Sequence, residues 1–255
     1  MKDKILMLIR VILVIVIAVC FGILGRRGYD YYKNYKNNQH IASVMEETNV
    51  NKKDGKKIKI ETFADKEKKF MEILKKFQKE NQDVIGFIEI PETNIAYPIL
   101  QAKDNNYYLR QSLDLKYDIA GSIFMDYMND SNFNDANSVI YGHYIQEMES
   151  MFSALKKFRD QDFATKNRKI YITTNEGLRE YEIFSVFTTP SEYDYRTLDF
   201  SDMGQKLAYF EKLRDKSEVS LKNREFKEDD TIITLSTCQY DYEDERLAIH
   251  ALRVR

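Results

Sequence analysis

The sequence predicts a mainly β domain, a barrel or a sandwich, set behind an apolar N-terminal segment. Three observations predict it. About eight short segments rich in β-branched or aromatic residues run from Val84 to Val254 with turn residues between them. Only three stretches place apolar residues at helical spacing. One long apolar run, Ile5 to Gly25, stands at the N-terminus and is broken only by Arg10.

The 255 residues suffice for one well-buried domain plus an accessory segment. With 39 basic and 41 acidic residues the net charge is -2, so there is no concentrated positive face for a polyanion. The runs at Lys52-Lys53 and Lys66 to Lys69 carry interleaved acids and read as solvated faces, and no nucleic-acid partner is expected.

Residues 1–27 read as a single-pass membrane anchor. An apolar helix of about 20 residues rises about 30 Å, the thickness of a bilayer core. A cleaved signal peptide is the competing reading, but Arg26-Arg27 stands where a small-residue cleavage site belongs. Ile17-Ala18-Val19 also lacks the small residue a lipidated Cys20 would need. Positive charge flanks both sides of the run, so orientation follows from function rather than from charge bias. Residues 28–62, rich in Tyr, Asn, Lys and Glu, read as a stalk that is partly helical, with His40 an exposed spacer residue.

Residues 63–255 form the expected domain. Phe70, Ile73, Leu74 and Phe77 recur at helical spacing and predict an amphipathic helix to about Glu80. Strands follow at Val84 to Ile90, stopped by Pro91, and at Asn94 to Leu100, Gly121 to Asp126, Ser138 to Tyr141, Lys169 to Thr174, Tyr181 to Thr188, Thr231 to Thr237 and Arg246 to Val254. Two helices interrupt them. One near Ser150 to Phe158 has Met151, Phe152, Leu155 and Phe158 on its core face; the other, about Ser201 to Asp215, has Met203, Leu207, Phe210 and Leu213 there.

The chemistry concentrates near the C-terminus. The β-branched run from Thr231 ends at Cys238, a polar loop follows, and a strand begins at Arg246. A loop that short favours an antiparallel pair, which sets Cys238 beside Arg246 at a sheet rim. A guanidinium there favours thiolate over thiol and can donate to an oxyanion; by spacing alone it serves equally as a surface charge paired with Glu243 or Glu245. Cys20 and Cys238 are the two cysteines, too far apart in topology to pair, which leaves Cys238 either a reactive thiol or an inert buried hydrophobe until its neighbours are weighed. Upstream, Ser138-Val-Ile-Tyr-Gly-His143 carries an imidazole past a strand end, where it can serve as acid and base; His250, inside the last strand, reads as structural.

These residues resemble a known family. Thr234-Leu-Ser-Thr-Cys238 with Arg246 eight residues on, and Tyr141-Gly-His143 upstream, look like a sortase of class B. Asp83 to Pro91, Thr93 to Pro98, Asp104 to Leu109 and Gly121 to Asp126 are similar to that family's early strands, in family order. The resemblance implies an eight-stranded β-barrel with an N-terminal helix and an extra helix, Ser201 to Asp215, before the seventh strand. It implies an extracellular cysteine transpeptidase on the cell membrane. Cys238 attacks after the Thr of an Asn-Pro-x-Thr or related Pro-x-Thr motif in a secreted protein; His143 protonates the leaving amine; Arg246 holds the oxyanion. An amine of lipid II or a peptidoglycan stem peptide then takes the thioacyl group. Asn105, Leu109, Tyr141, Ser236, Thr237, Tyr195 and Arg196 line the substrate groove by the same resemblance, and neither metal nor organic cofactor is implied. Tyr144 after the histidine and Gln239 after the cysteine depart from the family's usual residues. A cysteine endopeptidase using the same intermediate, and a non-catalytic surface protein, are the rival readings.

Overall fold

The computed structural model describes residues 2–49, 62–145, 148–238 and 245–255, with Cys238 placed by its backbone. The end of the expected stalk, and the loop after Cys238 including Gln239, lie outside the described residues.

Helix α1 (Lys2–Asn49) runs unbroken through the apolar run and on into the expected stalk. Its first half touches nothing: the side chains from Asp3 to Tyr29 are all exposed, and by length and composition the helix can cross a membrane. The second half is no free spacer. Asn34, Ile41 and Val44 are buried against the domain. His40 is exposed, as expected of it, but its Nε2 lies 2.7 Å from Glu80 Oε2 on the next helix. That helix, α2 (Phe63–Glu80), starts at a capping box in which Thr62 and Asp65 each satisfy the other's backbone N–H. It buries the predicted Phe70, Ile73, Leu74 and Phe77, with the Phe70 and Phe77 rings 5.3 and 6.2 Å from Phe87.

Ten strands follow: β1 (Val84–Glu89), β2 (Ala96–Leu100), β3 (Ile123–Met125), β4 (Asn137–Gly142), the short pair β5 (Tyr144–Ile145) and β6 (Ser150–Met151), then β7 (Lys169–Thr174), β8 (Gly177–Pro190), β9 (Ile232–Cys238) and β10 (Glu245–Arg253). Eight of them close into a barrel in the order β1-β2-β3-β4-β9-β10-β8-β7, while β5 and β6 pair separately. Closure leaves the barrel no free edge. The pairs are antiparallel except β2 with β3 and β4 with β9.

The strands at the site are buried on both faces. On β10, Leu247, Ile249 and Ala251 enter the main core, while Ala248 and Leu252 join a second cluster with Phe184, Phe187 and Phe210. That period of two explains why the segment reads as almost continuously apolar.

Helix α4 (Met203–Asp215) covers this second cluster and precedes the seventh barrel strand, as expected, but it presents a different face. Lys206, Tyr209, Phe210 and Leu213 are buried, whereas Met203 is exposed and Leu207 half-buried. The lysine is tolerated because its Nζ donates to the carbonyls of Glu228 (2.6 Å) and Asp230 (2.8 Å), so its stem can pack while its charge is solvated by backbone.

The helix expected over Ser150 to Phe158 is replaced by β6 and a 3-10 segment, Ser153–Arg159. Backbone at Glu149 (φ 46) and Met151 (φ 52) is left-handed, which no α-helix accommodates. Phe152, Leu155 and Phe158 are nonetheless buried, at the three-residue spacing a 3-10 turn repeats. A short helix, α3 (Gln161–Lys166), starts after it where Asp160 caps the N–H of Phe163.

Candidate active site

Three strands converge at one barrel rim. In the parallel β4–β9 pair Gly142 stands opposite Thr237, so the chain next reaches His143 on one strand and Cys238 on the other. In the antiparallel β9–β10 pair Cys238 stands opposite Arg246. Register therefore brings the distant imidazole residue to a position adjacent to the neighbouring thiol and guanidinium residues.

Gly142 makes this approach possible. A Cβ there would come within 2.5 Å of Ile123 Cδ1 and 2.7 Å of the Phe152 ring. Any side chain would have to displace buried packing directly before His143.

The rim opens into a cleft of about 230 Å³ lined by Asn105, Leu109, Tyr141, His143, Arg196, Ser236, Thr237 and Arg246, together with Asn106, Phe124 and Gly142. A larger hollow of about 290 Å³ lies between α1 and the barrel, away from these groups. Tyr195 is not on the cleft wall. It is fully buried behind it, with its hydroxyl 2.9 Å from Ser236 Oγ. The aromatic ring is better placed in the second core cluster than in water. Its neighbour Arg196 reaches the cleft and lies over the Tyr195 ring, 5.1 Å from its centroid.

His143 is only 6% exposed. Its Nε2 lies 2.9 Å from the Leu109 carbonyl, which can only accept, so the neutral ring carries its proton on Nε2. Burial pushes its pKa down from 6.5 to about 4, helped by the nearby charges of Arg110 and Arg246 and opposed by the Leu109 carbonyl. The ring is held as a neutral imidazole, able to take a proton. Arg246 is half-buried, and its Nη1 donates to the Glu245 carbonyl at 3.3 Å.

Sequence reasoning missed the group that stiffens the cleft, Asp126. This buried carboxylate accepts from the Tyr141 hydroxyl (2.8 Å) and from Asn105 Nδ2 (2.9 Å), while Asn105 Oδ1 accepts from the Tyr127 N–H (3.0 Å). Burial, then the charge and hydrogen bond of Asp126, push the Tyr141 phenol pKa well up, keeping it a neutral donor. The sequence did carry a signal, an acid closing the apolar Gly121 to Asp126 segment, but not its partners. Among the described residues no cluster of His, Cys, Asp or Glu is arranged to hold a metal ion.

A closed barrel with cysteine, histidine and arginine at one rim defines a class: a cysteine enzyme for acyl transfer. The Sortase domain family pattern matches residues 88–254. A curated relative, sortase B of Listeria monocytogenes, is 39% identical over 69% of this chain and 72% of its own length. Sortase B of Bacillus anthracis, solved in complex with AAEK2, superposes with a TM-score of 0.66 at 38% identity, covering 72% of this chain and 83% of that one. A Staphylococcus aureus sortase B–substrate complex gives 0.67 at 28% identity, covering 72% and 85%. The chain belongs to the sortase family and, with these relatives, to its sortase B branch of cysteine transpeptidases.

Proposed function

We propose that this enzyme cleaves a Pro-x-Thr-type sorting motif, Asn-Pro-x-Thr among them, after its Thr in secreted proteins, and joins the new carboxyl end to a peptidoglycan amine. Residues 1–27 anchor it by a single membrane pass, residues 28–62 carry it from the membrane, and residues 63–255 work outside the cell. The observation that supports this reading is the strand register, which sets Cys238 opposite Arg246 and one residue past the Gly142–Thr237 pair from which His143 follows, with His143 and Arg246 lining one cleft.

The proton balance is simple. The thiol proton of Cys238 passes to the neutral His143, and the thiolate attacks the Thr carbonyl carbon. Arg246 donates hydrogen bonds to the tetrahedral oxyanion. The C–N bond then breaks, and His143 gives its proton to the departing amine, leaving a thioacyl enzyme. In the second half His143 takes a proton from the incoming amine, whose nitrogen displaces the Cys238 thiolate, and the imidazolium then returns that proton to the thiolate, restoring thiol and neutral imidazole. Asn105, Leu109, Tyr141, Ser236, Thr237 and Arg196 hold the motif, and Tyr195 supports Ser236 from behind.

The test uses the full chain in detergent with quenched peptides carrying Asn-Pro-x-Thr, Ser-Pro-x-Thr or Leu-Pro-x-Thr, with and without amine, read by mass spectrometry. Cleavage after Thr, an acyl adduct on Cys238 and amine-dependent product are expected, and none of these in Cys238→Ala. An adduct that yields only acid, whatever amine is supplied, would favour an endopeptidase.

A further inference from the structure

The part of α1 beyond the apolar run meets the domain in a fixed order. Among the described residues, Lys33 is the first on this helix to bond outside it, donating Nζ to the Tyr117 carbonyl. Asn34 and Asn37 come next, donating to the two carboxylate oxygens of Asp118 at 3.3 and 2.5 Å. His40 and Glu47 then reach Glu80 and Lys76 on α2. The loop before Asp118 is thus the part of the domain tied nearest to the apolar run.

That loop is built to show apolar groups outward. Gln111 bridges Tyr117 at its base, and Ser112 N donates to the Lys116 carbonyl at 2.9 Å. At its tip Leu115 sits in left-handed backbone (φ 60) and is 52% exposed, and Tyr117 is 48% exposed. The charges beside them cancel, since Lys116 Nζ donates to Asp114 Oδ2 at 2.6 Å. On α1 itself Tyr29, Tyr32 and Tyr35 are exposed over the same stretch, the residue type that gathers at membrane interfaces.

Distance supplies the partner. Lys33 follows Gly25 by eight residues, about 12 Å of helix rise. The polar layer outside a bilayer core is about 5–8 Å deep, so Lys33 stands about 4–7 Å beyond it, a gap that a helix tilt of about 20° toward the loop narrows to side-chain reach. We propose that the 111–117 loop rests in the lipid headgroup layer, with Leu115 and Tyr117 as its contacts. The domain then has a second hold on the membrane besides α1. This rests on α1 being a membrane span.

The protein contains no tryptophan, so a single introduced Trp reports its own surroundings. Full-length Leu115→Trp, Tyr117→Trp, Val14→Trp and Met203→Trp would be reconstituted in phosphatidylcholine vesicles and titrated with nitroxide-labelled lipids and with aqueous acrylamide. Expected are quenching of Leu115→Trp and Tyr117→Trp by headgroup-level nitroxide, with loss of acrylamide access relative to detergent. Val14→Trp should be quenched by mid-chain nitroxide, and Met203→Trp by acrylamide alone. If Val14→Trp responds to mid-chain nitroxide while both loop variants keep full acrylamide access, the loop contact is wrong and the anchor stands. If Val14→Trp itself fails to respond, the span falls and the loop contact with it. The two loop variants guard against misfolding of either one.

Discussion

His143 and His250 are both buried and both held neutral, yet their surroundings differ. His143 stands at the rim, bonded to a carbonyl and bordering the cleft. His250 lies four residues inside β10 from Arg246 and is fully enclosed. Its Nδ1 is 2.9 Å from Thr234 Oγ1, which in turn donates to Asn137 Oδ1, so Nδ1 must carry the ring proton. Its Nε2 has no hydrogen-bond partner among the described residues, and the Phe187 ring stacks 5.2 Å away. Burial lowers its pKa to about 3. A depressed histidine pKa by itself therefore does not mark a catalytic group; of the two, His143 also borders the cleft, as its proposed role requires.

Substitutions can break or sharpen that contrast. The largest effect is expected from His143→Gln, which removes the proton carrier while keeping a hydrogen-bonding side chain: acylation should fall by about 10³-fold with an almost unchanged melting temperature. Single-turnover kinetics beside a thermal melt checks it. Arg246→Lys should cost about 10²-fold in kcat, because an ammonium lacks the planar fork of donors, and near-normal turnover would remove the oxyanion role. His250→Ala should invert the pattern, losing about 3 kcal/mol of stability to the cavity while acylation by the folded fraction persists. Denaturant unfolding of that variant separates the two terms.

Acid should act on both histidines at once. In the unfolded chain each titrates near 6.5, whereas in the fold His143 and His250 take protons only near 4 and 3. Below about 6.5 the unfolded state binds more protons, so their contribution to stability is fully present above that pH and is lost as pH falls toward their folded values. For His143 the loss is on the order of 3 kcal/mol. Melting temperature followed from pH 8 to 4 should fall, and fall less in His143→Gln. The smallest change is expected from Tyr195→Phe, about 1 kcal/mol from the lost bond to Ser236. It should raise KM more than it lowers kcat, since Ser236 borders the cleft; equal unfolding with unchanged KM would make Tyr195 purely structural.

Much of this architecture was legible in the sequence because its signals are local. The β-branched run into Cys238 and the polar loop before Arg246 predict an antiparallel pair, and the Phe70–Phe77 spacing predicts α2. What could not be read depends on distant partners. Lys206 looks like a solvent residue until the carbonyls of Glu228 and Asp230 meet its amine. Tyr195 looks like a groove residue until the cluster under α4 claims its ring. Asp126 joins Asn105 to Tyr141 only once β3 and β4 pair. The docking of α1 rests on Asn34, Ile41 and Val44, and the two apolar residues among them are too few to stand out from a polar stalk.

The parallel β4–β9 pair has a consequence for how the chain comes alive. It joins segments roughly a hundred residues apart, among the costliest contacts to form during folding. Histidine and cysteine cannot meet until that seam closes, and the cysteine strand is the seventh of the eight in the barrel. A chain in which that seam is open thus carries its proposed nucleophile without the imidazole beside it. On the roles proposed above, turnover then requires that the barrel has shut, whatever the order in which its other seams form.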